Sequence, residues 1–441
     1  WLKRCSSLGR IAGAPRRLLM GSCTTRQGRS DPTMRCRTPS QVPRCFSEVK
    51  CPYPEAQTCR GRYGAINYSL VGPANGEVVL CLHGLNGSRM LFQDFADVLS
   101  KDCGFRVLSF DLYGHGLSNA PRVEMCPLRR CATPTCSSVP RARYDLDFFV
   151  DQVDELLELL SLDQDPLNIV GFSLGGSIAL AFARKFPDRV LRVTAMSPAG
   201  ALPTKPKVYY LLQCFWCCLI PIAPHVVCTY WCKRERFTRS MKKDESDMDT
   251  EAVDHLWRRF VWQLYVKRGV ASATLAVLHR IPWFNLRSLF CEVGQHSRPV
   301  LLIWGEKDSL NPAHTTAQQV CDCFSNARLL VVKDAGHIAL CDQPKQVILS
   351  IIAFLRLPVD ARMSQAKLVL PFINRLQPKA HPAKYRSKGS GNAGATAEME
   401  PRHKMSEMPV PMILGHSEDV PSPADLEDQG AENLLGSSPA V

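Results

Sequence analysis

From about Arg62 the chain alternates between short apolar runs and stretches with helical spacing. YGAINYSLVG (63–72) alternates apolar and polar positions, as an early strand does. GEVVLCLHG (76–84), FRVLSFDLYGHG (105–116), LNIVGFS (167–173), VLRVTAMSP (190–198), PVLLIWG (299–305) and ARLLVVKDAGH (327–337) are short, nearly continuous apolar runs that end in turn residues. Between them, YDLDFFVDQVDELLELL (144–160) sets Phe149, Val153, Leu156, Leu157 and Leu160 on one helical side. SIALAFARKFP (177–187) predicts a helix stopped by Pro187, and PAHTTAQQVCDCF (312–324) and PKQVILSIIAFLRL (344–357) each open on a proline. Continuously apolar strands alternating with helices predict an α/β fold whose mostly parallel sheet is covered on both faces. In such sheets ligands bind beyond the carboxyl ends of the strands.

Two segments break the alternation. EMCPLRRCATPTCSSVPRA (124–142) is rich in Pro, Cys and Arg, has no period, and predicts an exposed insertion. The stretch 200–292 is too long for a crossover loop and contains AVDHLWRRFVWQLYVKRG (252–269), so it predicts an inserted helical cap. The expected division is therefore a basic leader over 1–61, a core over 62–199, the cap, a second core part over 293–358, and a disordered polar tail over 359–441.

The net charge of +13 changes this picture little. Residues 1–62 hold thirteen Lys/Arg against three Asp/Glu, so most of the excess lies in the leader. A basic face on the folded core is not expected, which argues against nucleic-acid binding. The Arg-rich, acid-poor leader has the composition of an organellar transit peptide or of a disordered leader, in an otherwise intracellular chain. Twenty cysteines without a secretory h-region do not predict disulfides. Cys214, Cys217, Cys218, Cys228 and Cys232 lie among Phe, Trp, Leu and Ile without paired Cys-x-x-Cys spacing, and read as buried or lipid-facing thiols rather than a zinc site.

The chemistry concentrates after the strands. GFSLGGS (171–177) puts Ser173 between a strand and a helix. A serine nucleophile needs an imidazole base, an acid that holds the imidazole tautomer, and backbone donors for the oxyanion. His337 follows the last strand, and Asp308 follows the strand before it. Ser173, Asp308 and His337 thus stand in the chain order of a strand-turn-helix serine elbow. The N–H groups of Leu85, in HGLNG (83–87), and of Leu174 are the candidate oxyanion donors. Glu306 is the rival acid; His83 is expected to orient the oxyanion loop, and His115 and His314 lack the strand-end setting of His337.

HGLNG, FDLYGHGLS, GFSLGG, WGEKD and DAGH together resemble the α/β-hydrolase superfamily, of the cap-bearing serine hydrolase type, over roughly 62–357. The resemblance implies an eight-stranded, mostly parallel sheet with a helical cap after the sixth strand. It implies Ser173 as nucleophile, His337 as base, Asp308 as acid, Leu85 and Leu174 at the oxyanion positions, and structural roles for Asp111 and Ser118. No metal or organic cofactor is implied.

Residues 209–231, YYLLQCFWCCLIPIAPHVVCTYW, carry no charge. Pro221 and Pro224 argue against a spanning helix. The stretch either contacts a bilayer peripherally or lines a buried tunnel, and both suit an apolar acyl substrate. The expected activity is hydrolysis of lipid-like carboxylic esters, such as monoacylglycerols or lysophospholipids, through an acyl-enzyme. The alternatives are a C–C bond or thioester hydrolase of the same fold, and a non-catalytic binding protein on this scaffold.

Overall fold

Along Val78–Leu82 every side chain is buried, because both faces of this strand are covered. Val78, Leu80 and Leu82 enter one apolar layer, and Val79 and Cys81 enter the other. A computed structural model describes residues 50–54, 56–124, 141–202, 205, 209–210, 212–216, 218–219 and 250–364. Eight strands form one sheet: β1 Gln57–Gly61, β2 Gly64–Val71, β3 Val78–Leu82, β4 Arg106–Phe110, β5 Leu167–Phe172, β6 Val190–Met196, β7 Val300–Gly305 and β8 Ala327–Val332. Their order is β1-β2-β4-β3-β5-β6-β7-β8. The pairs β1/β2 and β2/β4 are antiparallel, and the remaining pairs are parallel.

The described helices are α1 Gln93–Lys101, α2 Leu146–Leu159, α3 Leu174–Lys185, α4 Thr250–Val261, α5 Val270–Arg280, α6 Arg287–Gly294, α7 Ala313–Cys321, α8 Ala339–Asp342 and α9 Pro344–Leu355. One layer joins the sheet to Phe149, Val153 and Leu156 of α2 and Ile178 and Phe182 of α3. The opposite layer joins it to Phe95 and Leu99 of α1 and Val347, Ile351 and Phe354 of α9. Local signals agree with these ends. The Asp145 carboxylate accepts the Phe148 N–H at 3.0 Å and caps α2. Pro344 opens α9, where a missing N–H costs nothing.

The expected boundaries shift in three places. The first strand opens at Gln57, inside the expected leader, because Gln57–Gly61 pairs along Gly64–Tyr68. The fold runs past Pro358 to a buried Met363, whose N–H donates to Asn326 Oδ1 at 2.7 Å. The expected end of the cap at 292 falls within α6. Its Leu289, Phe290 and Val293 join the apolar layer that holds α3, as Val270 and Ala276 of the inserted α5 also do. The insertion 124–142 lies mostly outside the described residues. Its ends meet, with the Glu124 N–H donating to Ala142 O at 2.9 Å and the Ala142 N–H to Arg122 O at 2.8 Å.

Candidate active site

Ser173 stands between β5 and α3 with φ 52° and ψ −115°. A side chain rarely takes this backbone, so the turn must be held from several sides. The Ser173 N–H donates to Met196 O at 2.9 Å, and its carbonyl accepts the N–H groups of Gly176, Ser177 and Ala199. Two glycines allow the crossing. A Cβ on Gly171 would lie 2.4 Å from Gly175 O, and one on Gly175 would lie 2.1 Å from Leu82 O. Gly176 is less crowded, since a Cβ there would first meet Pro198, at 3.1 Å.

The fold brings His337 and Asp308 to this turn. Asp308 lies three residues beyond β7, and its side chain is fully buried. Its Oδ1 accepts the Leu310 N–H at 3.0 Å and the Asn311 N–H at 2.8 Å. Its Oδ2 stands 2.8 Å from His337 Nδ1, and His337 Nε2 stands 3.3 Å from Ser173 Oγ. A carboxylate can only accept, so Nδ1 carries the imidazole proton and Nε2 presents its lone pair to the serine hydroxyl. Phe172 lies against the imidazole with ring centroids 5.0 Å apart. Glu306 is exposed and accepts the Asp334 N–H at 3.2 Å, away from this chain of bonds.

The Gly84–Gly87 loop passes beside Ser173, since a Cβ on Gly84 would be 3.1 Å from Ser173 Cβ. The Gly87 N–H donates to Gly84 O at 3.0 Å, and Asn86 has φ 57°. This is a tight turn with Asn at its left-handed position. The N–H groups of Leu85 and Leu174 donate to no acceptor among the described residues. Leu174 is the first residue of α3, where a helix leaves its N–H groups without internal partners.

Buried polar groups brace the loops. His83 Nε2 accepts the Leu112 N–H at 3.0 Å, so its proton sits on Nδ1, 2.8 Å from Gly84 O. Burial pushes its pKa down, against the opposing Asp111 charge. Asp111 accepts the Arg89 and Leu117 N–H groups at 2.7 Å each, and Ser118 Oγ donates to Asp111 O at 2.6 Å. These bonds make Asp111 and Ser118 part of the scaffold. His115 is buried beside His83, and His314 is exposed on α7.

A small cavity opens over Ser173 and His337, lined by Ser197, Ala199, Leu202, Trp283, Leu310 and Asn311. Trp283 and Leu202 come from the segment between β6 and β7, far from the motifs in sequence, and no pattern marked them. Asn311 carries the one overlooked signal, an Asn-Pro pair three residues after Asp308. Its side-chain N–H donates to Pro198 O at 3.1 Å and its Oδ1 accepts from Thr316 Oγ1 at 2.8 Å, which ties the Asp308 loop to the end of β6. Cys214 and Cys218 are exposed, and Cys217, Cys228 and Cys232 lie outside the described residues. Among the described residues no three metal-binding side chains cluster. Within 209–231 only 209–210, 212–216 and 218–219 are described, and no described helix is long and apolar enough to cross a membrane.

The sequence model of the family described as the alpha/beta hydrolase fold matches residues 77–344. A serine hydrolase-like protein of Danio rerio is 28% identical over 173 residues, 39% of this chain and 44% of that one, so the match spans less than half of the relative's length. Lipase 3 of Moraxella is 20% identical over 285 residues, 61% of this chain and 74% of the lipase. The solved structure of an esterase from Thermogutta terrifontis aligns with a TM-score of 0.52 and 21% identity, covering 68% of this chain and 98% of that one. The family match runs from the turn before β3 to the start of α9 and takes in more than half of the sequence, and the chain belongs to the α/β-hydrolase family.

Proposed function

We infer from the family match that the chain is a hydrolase of the α/β fold. We propose that it is a serine hydrolase of carboxylic esters with lipid-like acyl groups. The observation that carries this reading is the hydrogen-bonded chain from Asp308 through His337 to Ser173. In this mechanism Ser173 Oγ attacks the ester carbonyl while His337 Nε2 takes the hydroxyl proton. The carbonyl π electrons move onto oxygen, which the Leu85 and Leu174 N–H groups receive. Collapse expels the alcohol, protonated by His337, and leaves the acyl group on Ser173. Water then gives its proton to Nε2, attacks the acyl-enzyme and releases the acid. Asp308 holds the Nδ1–H tautomer and stabilises the imidazolium throughout. Ala199, Leu202, Trp283 and Leu310 give the cavity an apolar lining that suits a hydrocarbon acyl group. The lipase name of the Moraxella relative agrees with this.

The test is labelling with a fluorophosphonate, followed by a profile of ester substrates of increasing chain length. The wild type is expected to label, and Ser173→Ala and His337→Ala to lose about 10⁶ in kcat, as triad members do. An unlabelled wild type, or a Ser173→Ala variant that labels equally, would falsify the reading. Preference for thioesters or C–C substrates over every ester would move it to the other branch of the fold.

A further inference from the structure

The loops that follow β3 and β4 are both gripped by one stretch, residues 262–274, which the chain inserts between β6 and β7. This stretch opens with a wide, π-type turn over Trp262–Val266, in which the Lys267 N–H donates to Trp262 O at 3.0 Å. Such turns aim side chains that a regular helix would direct elsewhere. Here they aim Gln263 and Lys267 at the core. Lys267 is buried, and its Nζ donates to the carbonyls of His115, Gly116 and Ser118.

Gln263 bridges the two loops. Its Oε1 accepts the Gly116 N–H at 2.7 Å, and its Nε2 donates to Asn86 O at 3.2 Å. One end meets a donor and the other an acceptor, so the amide has a single satisfying orientation. Thr274, on α5, donates its hydroxyl to Asn86 Oδ1 at 2.9 Å. Gln263 and Thr274 are buried and Asn86 is half-buried, and the segment packs closely on the loop after β4, where a Cβ on Gly114 would lie 2.7 Å from Ala273 Cβ. These bonds also account for asparagine at 86. Glycine would take φ 57° with less strain but would offer Thr274 no acceptor.

Asn86 is the neighbour of Leu85. We infer that Gln263 and Thr274 are positioning residues that set the Leu85 N–H through Asn86, so that the inserted segment completes the oxyanion pocket. The inference rests on the serine-hydrolase reading. Its physical ground is that an oxyanion donor acts only when fixed within fractions of an ångström, and a surface loop does not supply that rigidity alone. It follows that displacement of the inserted segment weakens the chemical step even with the triad intact.

The test uses the full chain with p-nitrophenyl butyrate as substrate and an aryl trifluoromethyl ketone as an inhibitor whose oxyanion occupies the same pocket. Thr274→Val and Gln263→Glu are expected to lower kcat about tenfold, a fraction of the 10²–10³ lost with a whole donor. KM is expected to stay within about twofold, and the inhibitor Ki to rise in proportion to the loss in kcat, since uniform binding is untouched. Thr274→Ser restores the hydroxyl and is expected to restore kcat. Asn86→Gly deletes the acceptor at a backbone conformation glycine accepts, and carries the same test should Thr274→Val fold poorly. Unchanged kcat and Ki in Asn86→Gly, or a change confined to KM, overturns the inference. A wild type without esterase activity or labelling would instead overturn the reading of Ser173, and the two failures are separable.

Discussion

At the residue scale, the two oxygens of Asp308 have different tasks. Oδ1 is committed to the Leu310 and Asn311 N–H groups, and Oδ2 faces His337 Nδ1. In Asp308→Asn the two backbone donors keep the amide oxygen, so the NH₂ turns toward Nδ1. The imidazole must then carry its proton on Nε2, against the Ser173 hydroxyl, and cannot act as base. The expected fall in kcat is about 10⁴. Glu306→Gln is expected to stay within about twofold, because that carboxylate is exposed and bonds only the Asp334 N–H among the described residues. Steady-state kinetics of both variants checks this, and the reverse outcome would assign the acid to Glu306. That Asp308 and His337 would meet was legible from chain order, since they follow successive strands. The contribution of Asn311 was not, because it depends on a carbonyl, Pro198 O, that is distant in sequence.

At the scale of elements, the crossing of β3, β5 and α3 decides whether the elbow exists. Gly175 is where α3 touches the end of β3, with backbone oxygens of Leu82 and His83 within 2.7 Å of the place an alanine methyl would occupy. Backbone cannot swing aside as a long side chain can. Gly175→Ala must therefore push α3 off the sheet and move Ser173 away from both His337 and the Leu85 loop. We expect a loss of about 1–3 kcal/mol, the range of overpacking, together with loss of fluorophosphonate labelling. Gly104→Ala is the control: a Cβ there meets nothing within 4 Å, and only its φ of 75° opposes the change. It is expected to cost about 1–2 kcal/mol and to leave labelling intact. Urea unfolding of the two variants, with labelling measured in parallel, separates strain from collision. Equal labelling in both would remove the crossing from the argument.

At the scale of the whole molecule, stability should depend on two histidines that the chemistry does not use. His83 and His115 are buried, and burial pushes both pKa values down, that of His115 far down with help from the neighbouring His83 and Lys267 charges. Unfolded, each titrates near about 6.5. Below that pH the unfolded chain binds protons the folded chain refuses, so stability falls as pH drops from neutrality toward 5. Above neutrality the two contribute no change. The slope is up to about 1.4 kcal/mol per pH unit for each histidine. His115→Gln, which keeps a polar group near Tyr113 O, should flatten the acid limb. Denaturation midpoints at pH 7.5, 6.5 and 5.5 test this, and an identical slope in the variant would exclude His115 as a source.

Periodicity, turn residues and motif order were sufficient for the α/β class, the sheet of alternating strands and helices, and the three side chains that meet at the elbow. The reason is that strand burial and strand-end chemistry are local in sequence, so each leaves its own short signature. Other features arise from contacts between distant segments and leave no such signature. Tertiary structure alone extended the fold to Gln57 and Met363, through pairing with Gly64–Tyr68 and with Asn326. It alone placed Trp283 over Ser173 and tied Gln263 and Thr274 to Asn86 across 177 and 188 residues of chain. A hydrogen bond between remote loops is specified by where the sheet and the inserted segment carry them, which is a property of the folded chain and not of any window along it.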